Sequence, residues 1–151
     1  MNLFLNFWVI PPQKKILILL PLGYTFFLQL LTGFPKPNSL EEINANEIFI
    51  RFSEELFDYP YWLQDLSHLP LFFILAWLWS WQIGPYPSLK KVFSNKAAII
   101  SFSYAVINEM AQAFIPDRFP SVGDLIMNLT GVAIGLTSHK FLCQKSSIKY
   151  D

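Results

Sequence analysis

The sequence predicts an all-α membrane protein with four transmembrane helices, and three observations support this. The chain has 151 residues, of which 53% are hydrophobic and only 15% charged, whereas soluble domains carry about 25% charged residues. Four apolar runs approach the roughly 20 residues that an α-helix needs to cross a bilayer. All the lysines but Lys36 fall before the first run, between the second and third runs, or at the end of the fourth run and beyond it. A chain of this length favours one domain.

The four predicted spans cover residues 16–34, 66–83, 97–115 and 122–142. The first run follows Lys14 and Lys15, as in a signal peptide, but it is long and no small-x-small cleavage site follows it before residue 33. We therefore interpret it as a retained helix. The fourth run is weaker, because Asp124 lies at one end and His139 and Lys140 at the other.

The distribution of basic residues predicts the orientation of the chain. Eight of the 11 lysines and arginines precede span one, join spans two and three, or follow span four. Since cytoplasmic connections are enriched in Lys and Arg, both termini are predicted to be cytoplasmic, in the inner or plasma membrane of the cell. Residues 35–65 and 116–121 would then lie outside. Three tryptophans near the inner end of span two are typical of an interfacial aromatic belt: Trp77, Trp79 and Trp81.

The predicted organisation has three parts. Residues 1–15 form a cytoplasmic or interfacial segment that is too short to span and is interrupted by prolines at 11 and 12. Residues 16–142 form a single four-helix membrane domain, and residues 143–151 form a cytoplasmic tail. The first outer loop has its own helical pattern, which begins with a capping box of Ser39 and Glu42 and ends before Pro60. This amphipathic helix either covers the spans or binds a partner.

Six polar residues are predicted to meet in the outer third of the membrane. Glu109 and Gln112 are three residues apart, and Asp124 and Asn128 are four apart, so each pair shares one helix face. His68 lies in the first turn of span two, at the same depth in the membrane. Arg118 lies in the turn between spans three and four. The set comprises His68, Glu109, Gln112, Arg118, Asp124 and Asn128.

A carboxylate within a span costs at least about 2.5 kcal/mol, so Glu109 is expected to face the helix bundle or a wet cavity. His68 and Arg118 are its candidate partners. Glu109 is either a functional acid or base or one half of a structural ion pair. Asp124 either caps the fourth helix, as Ser121 also could, or belongs to the site. Asn128 either contacts a ligand or hydrogen-bonds a neighbouring helix.

Other polar or small residues favour structural roles. Gly131 and Gly135 form a small-xxx-small face that is typical of close helix packing. His139, near the cytoplasmic end, is interpreted as structural. The single cysteine, Cys143, excludes an internal disulfide. A metal held by His68, Glu109 and Asp124 would depend on one histidine, and no metal site or cofactor is predicted.

The outer residues resemble the signature of the VanZ-like membrane proteins. The pattern E-x-x-Q-x-F-x-P-x-R-x-x-S-x-x-D-x-x-x-N-x-x-G is present between Glu109 and Gly131, and His68 is followed by an apolar run as in that family. The resemblance covers about residues 60–138. The chain departs from the family where an Asp-Lys pair usually precedes the histidine, because Gln64, Asp65 and Leu66 stand there instead.

The resemblance implies a multi-pass membrane protein of a family named after an accessory protein that lowers susceptibility to teicoplanin. Three functions stay open. The first is an envelope-protection protein that binds or shields a membrane lipid or lipid-linked envelope component. The second is a small intramembrane enzyme with Glu109 and His68 as acid and base, and with Gln112, Arg118, Asp124 and Asn128 binding the substrate. The third is a structural scaffold. The zero net charge favours no nucleic-acid partner, and the oligomeric state is open.

Overall fold

The computed structural model describes residues 7–33, 66–112, 115 and 121–146, and it is all-α across them, with no strand in these ranges. Helix α1 is Leu19–Thr32 and follows a 3₁₀ turn at Lys15–Ile18. Helix α2 is His68–Ile83, α3 is Lys96–Gln112 and α4 is Val122–Lys145, with a 3₁₀ turn at Leu89–Ser94 before α3. The predicted helix at residues 39–60 and the predicted site residue Arg118 lie outside the described residues.

The four helices fall on the four predicted apolar runs, and local chemistry explains where two of them stop. Gly33 follows α1 with φ 96°, and Gly84 follows α2 with φ 110°. Each donates its backbone N–H to a carbonyl four residues earlier, Gln29 and Ser80 respectively. Positive φ angles are strained for residues with a Cβ atom, so glycine ends both helices without that cost.

Helices α2 and α4 pack against each other through the predicted small-residue face of α4. A Cβ atom added at Gly135 would lie 2.5 Å from the carbonyl oxygen of Phe73, and one added at Gly131 would meet the carbonyl oxygen of Leu69. The backbones are therefore too close to admit any side chain at either position. The packing role predicted for both glycines is confirmed.

The centre of the bundle is apolar, with fully buried side chains from every helix. Leu28 of α1, Phe72 of α2, Ala105 of α3 and Leu136 of α4 are at most 1% exposed. Helix α1 is the most peripheral of the four, since many of its large apolar side chains are exposed, including Leu22 at 46%. Its attachment is partly polar: Thr32 Oγ1 donates to Asn108 Oδ1 at 2.7 Å.

Among the residues that the structure describes, one helix is long and apolar enough to cross a membrane by itself, namely Lys15–Thr32, in which the 3₁₀ turn and α1 are taken together. Its mean hydropathy is 1.6, and 17% of it is buried against the rest of the chain. Helix α2, His68–Ile83, is apolar but shorter. The helical prediction is thus confirmed for all four runs, while the crossing of a membrane by each one stays a prediction.

The charges of the described residues separate to opposite ends of this antiparallel bundle. We call one the lysine end, because it holds every described lysine: Lys14, Lys15, Lys90, Lys91, Lys96, Lys140 and Lys145. The other we call the carboxylate end, since the two acidic residues described, Glu109 and Asp124, both lie there. Lys140 is partly buried with its Nζ 4.2 Å from the centre of the Tyr86 ring, and the other six lysines are exposed.

The N-terminal segment, residues 7–12, is docked on the lysine end of the bundle. Trp81 Nε1 donates to the carbonyl of Phe7 at 2.7 Å, and Trp77 Nε1 donates to the carbonyl of Trp8 at 3.2 Å. Val9 is 1% exposed. Trp81 is fully buried, so it is a packing residue that holds the segment, rather than a lipid-facing member of an aromatic belt.

Candidate functional site

The candidate site is built on the start of α4, at the carboxylate end. Ser121 caps this helix, since its Oγ accepts a hydrogen bond from the backbone N–H of Asp124 at 3.3 Å. The backbone N–H of Ser121 in turn donates to Glu109 Oε1 at 2.6 Å. The carboxylate of Glu109, which is 3% exposed, therefore joins the last turn of α3 to the first turn of α4.

Asn128 connects this carboxylate to His68. Its Nδ2 lies 3.4 Å from Glu109 Oε2, in a long hydrogen bond, and its Oδ1 lies 3.0 Å from His68 Nδ1. Asn128 is fully buried, and a buried amide stabilises the fold only when its polar atoms have partners. Asn128 therefore lies between Glu109 and His68, which was one of the two candidate partners predicted for Glu109.

His68 and Asp124 form the outer edge of the site. His68 Nε2 lies 3.5 Å from Asp124 Oδ1, and their side chains are 16% and 17% exposed. Of the two alternatives for Asp124, the structure assigns the capping role to Ser121 and places the Asp124 carboxylate against His68. Its negative charge in the first turn of α4 is also favourable for the helix dipole.

The hydrogen-bond pattern assigns the protons of the His68 ring. Because Asn128 Nδ2 donates to Glu109, Asn128 Oδ1 is an acceptor, and His68 Nδ1 must carry the hydrogen between them. Nε2 then faces the Asp124 carboxylate, 3.5 Å from Oδ1.

Gln112 adds a hydrogen-bond donor to the same end. It lies one turn beyond Glu109 on α3 and is 3% exposed, and its Nε2 has no hydrogen-bond partner among the described residues. A buried amide without a partner costs about 1–3 kcal/mol. This donor is therefore suited to an acceptor oxygen of a ligand or water.

Five of the six predicted site residues are accounted for in the described chain. Four of them form one chain of contacts: Glu109, Asn128, His68 and Asp124. Gln112 lies on the neighbouring turn. Within the ranges that the structure describes, no group of three His, Cys, Asp or Glu side chains is arranged to hold a metal ion.

A second polar cluster, at the lysine end, was not predicted as a unit. Ser80 Oγ lies 2.9 Å from His139 Nδ1, and the thiol of Cys143 lies 3.7 Å from His139 Nε2 and 3.5 Å from the Val9 carbonyl. These groups are almost completely buried and fix the N-terminal segment. In the sequence, only the i, i+4 spacing of His139 and Cys143 indicated this cluster, because Ser80 lies far from both along the chain.

Of the comparisons with known proteins, the one with family models gives a match. The model of the VanZ/LLP1 family matches residues 4–143, which is nearly the whole chain and more than the region in which the signature was recognised. The protein is therefore a member of the VanZ/LLP1 family. No curated protein matches the chain, and no solved structure matches it either.

Proposed function

We propose that this chain is a multi-pass protein of the inner or plasma membrane that binds the polar group of a cell-envelope lipid, or of a lipid-anchored glycopeptide, at its carboxylate end. In this arrangement the four helices cross the bilayer, both termini are cytoplasmic and the carboxylate end faces the outer leaflet. Membership of the VanZ/LLP1 family and the separation of the charged residues to the two ends of the bundle support the proposal.

The observation that carries the proposal is the graded burial of the polar network. Glu109 and Asn128 are buried at the back, whereas His68 and Asp124 reach the surface. A network that served only to join helices would have no need of partly exposed members. Here the buried pair holds the partly exposed pair in position, an arrangement typical of binding sites whose contact residues are fixed from behind.

The donor and acceptor groups define the ligand chemistry. Gln112 Nε2 offers an N–H group, so the site suits an acceptor oxygen such as that of a phosphate or carboxylate. Asp124 accepts, and thus suits a hydroxyl or amine. A ligand with both kinds of group, such as a glycosylated or amine-bearing headgroup, matches this edge better than a bare anion does.

The position of His68 favours a second candidate, an acid/base enzyme. An imidazole held at Nδ1 by a buried amide, with Nε2 beside a carboxylate, is oriented for proton transfer. In this alternative His68 moves the proton, and Glu109 positions Asn128. A catalysed change would alter the mass of the bound lipid, whereas binding alone would leave it unaltered.

The first experiment compares wild type, His68→Gln and Ser80→Ala, expressed at matched membrane levels in a glycopeptide-susceptible host. Ser80→Ala is the control, because it alters a buried polar contact to a histidine at the opposite end. Teicoplanin and vancomycin susceptibility are measured together with the masses of the lipids that co-purify. We expect wild type and Ser80→Ala to protect against teicoplanin, and His68→Gln not to protect.

The lipid masses separate the alternatives. A lipid retained by wild type and lost from His68→Gln, with its mass unchanged, agrees with binding. A new lipid mass that requires His68 would instead establish the enzyme. Equal protection and equal lipid content in all three proteins would leave the polar network with only a structural role, and the proposal would be wrong.

A further inference from the structure

We infer that the lysine end carries a second lipid site, in which an anionic phospholipid places one acyl chain in the groove between α1 and α2 and its phosphate beside Lys14 and Lys15. This inference rests on the membrane placement proposed above. It concerns the opposite end of the molecule from His68, and its ligand differs in charge and in leaflet.

The groove is a cavity of about 770 Å³ that runs along α1 and α2, within the size range of about 300–1,000 Å³ for ligand pockets. Leu20, Gly23 and Phe27 line one side, and Phe73 and Trp77 line the other. Trp8 of the N-terminal segment closes it at the lysine end. The groove therefore lies at the depth of lipid tails, next to the basic surface.

The polar atoms on the groove walls already have partners. The hydroxyl of Tyr24 donates to the carbonyl of Leu71 at 3.0 Å, and Trp77 Nε1 donates to the carbonyl of Trp8 at 3.2 Å. The remaining wall is hydrocarbon and aromatic. An acyl chain buries such a surface favourably, whereas a headgroup would find no hydrogen-bond partner there.

Gly23 makes the groove deep at its centre. A Cβ atom at this position would have no heavy atom within 4 Å, in contrast to the crowded glycines of α4. Gly23 lies in the interior of a helix, where glycine is less favourable than alanine. Neither helix packing nor a turn requires glycine here, and the open volume beside it is the space that an acyl chain would occupy.

Charge complementarity identifies the headgroup. Lys14 and Lys15 are exposed and lie within two turns of Leu19, which lines the groove. Lys14 also lines a second depression of about 510 Å³, together with Phe7, Pro12 and Leu17. The described residues of this end include seven lysines and no acid. Among these described residues a lipid phosphate meets positive charge only, which favours an anionic lipid over a zwitterionic one.

The test uses the full chain in nanodiscs of phosphatidylcholine that contain a minor fraction of phosphatidylglycerol, with native mass spectrometry to count the lipids retained. Gly23→Phe fills the groove, and Gly23→Ala is the matched control that removes the glycine but leaves the space. Lys14→Gln/Lys15→Gln removes the charge, and Lys90→Gln/Lys91→Gln removes the same charge from another connection at the same end.

We expect wild type to retain phosphatidylglycerol in preference to phosphatidylcholine, and Gly23→Ala to do the same. Gly23→Phe should lose the retained lipid. Lys14→Gln/Lys15→Gln should lower the affinity for phosphatidylglycerol about 30-fold, since each interfacial lysine contributes about 1 kcal/mol and about 1.4 kcal/mol is a factor of ten. Lys90→Gln/Lys91→Gln should retain the lipid as wild type does.

Equal retention by Gly23→Phe and Gly23→Ala would overturn the inference. So would a decrease in oligomer size specific to Gly23→Phe, because the groove would then be a contact between two copies of the chain. Extraction of the wild-type chain from membranes by alkaline carbonate would instead contradict the membrane placement. His68→Gln should still retain phosphatidylglycerol. A failure of the function proposed for the carboxylate end is therefore distinguishable from a failure of the lipid site inferred at the lysine end.

Discussion

The two ends of the bundle use polar residues in opposite ways. At the carboxylate end the polar groups are buried or half-buried. Hydrogen bonds join Glu109 through Asn128 to His68, and His68 lies 3.5 Å from Asp124. At the lysine end six of the seven described lysines are exposed. The buried polar groups there, Ser80, His139 and Cys143, contact one another, and Cys143 also contacts the Val9 carbonyl of the N-terminal segment.

This difference distinguishes a ligand-binding site, expected at the carboxylate end, from a surface that attracts charged lipids, expected at the lysine end. Buried charge is costly without partners, so a chain that keeps Glu109 in its interior has a network fixed in one geometry. Exposed lysines cost little and move freely, which suits attraction to a charged surface but not recognition of one ligand geometry. We therefore expect mutations at the carboxylate end to alter stability and ligand specificity together, and charge mutations at the lysine end to alter lipid preference alone.

The largest expected effect is a loss of stability that disrupts the polar contacts at both ends of the bundle. Gly135→Val places side-chain atoms against the Phe73 carbonyl, so α2 and α4 must separate. Since this helix pair carries both the His68–Asn128 and the Ser80–His139 contacts, the free energy of unfolding should fall by at least about 3 kcal/mol. Denaturant titration in mixed micelles measures it. Gly23→Val is the control, and an equal loss there would contradict the packing argument.

Glu109→Ala should disrupt the hydrogen-bond network at the carboxylate end and leave the lysine end unaffected. It leaves the buried Ser121 N–H and Asn128 Nδ2 without this acceptor, at a cost of about 2–3 kcal/mol in unfolding free energy. Hydrogen exchange should show lost protection at the start of α4, with the N-terminal segment unaffected. Lost protection at residues 7–12 as well would mean that the two ends are coupled.

Trp81→Phe should loosen the lysine end alone. The ring packing is largely kept, but the Phe7 carbonyl loses its 2.7 Å hydrogen bond, which should lower the unfolding free energy by about 1 kcal/mol. Faster amide exchange in residues 7–12 is the expected signature. Trp79→Phe serves as the control, because Trp79 Nε1 donates to Thr25 Oγ1 instead. Unchanged exchange in Trp81→Phe would show that packing alone holds the segment.

The smallest effect on stability is expected for Lys90→Gln, since this lysine is exposed. Its unfolding free energy should stay within about 0.5 kcal/mol of wild type, as measured by the same denaturant titration. A larger loss would show that the lysine end, too, has charges fixed in its structure, and the contrast between the two ends would be weaker.

Much of this arrangement was predictable from the sequence. Runs of apolar residues gave four helices at nearly the observed positions, because hydrophobic length and helix length are directly related. The spacing of Glu109 with Gln112, and of Asp124 with Asn128, predicted shared faces, since 3.6 residues complete a turn. Family membership followed from the spaced motif. The small-residue face at Gly131 and Gly135 predicted close packing correctly.

Other features required the fold. The sequence left Asp124 as either a cap or a site residue. The structure assigns the cap to Ser121, and only the relative placement of α2 and α4 brings His68 to the Asp124 carboxylate. The tryptophans of α2 looked interfacial, but Trp81 is buried because the N-terminal segment covers it. Likewise, the groove beside Gly23 depends on how α1 lies against α2, which no local pattern encodes.

The sequence by itself thus determined the helices, their order, the opposite placement of basic and acidic residues, and the family. These properties depend on local periodicity and composition, which are independent of how helices meet. Only the tertiary structure decided which polar atoms pair, which are left with a free donor, and where an apolar surface becomes a groove. Those outcomes depend on distances between residues remote in the chain, such as the 3.0 Å between His68 and Asn128.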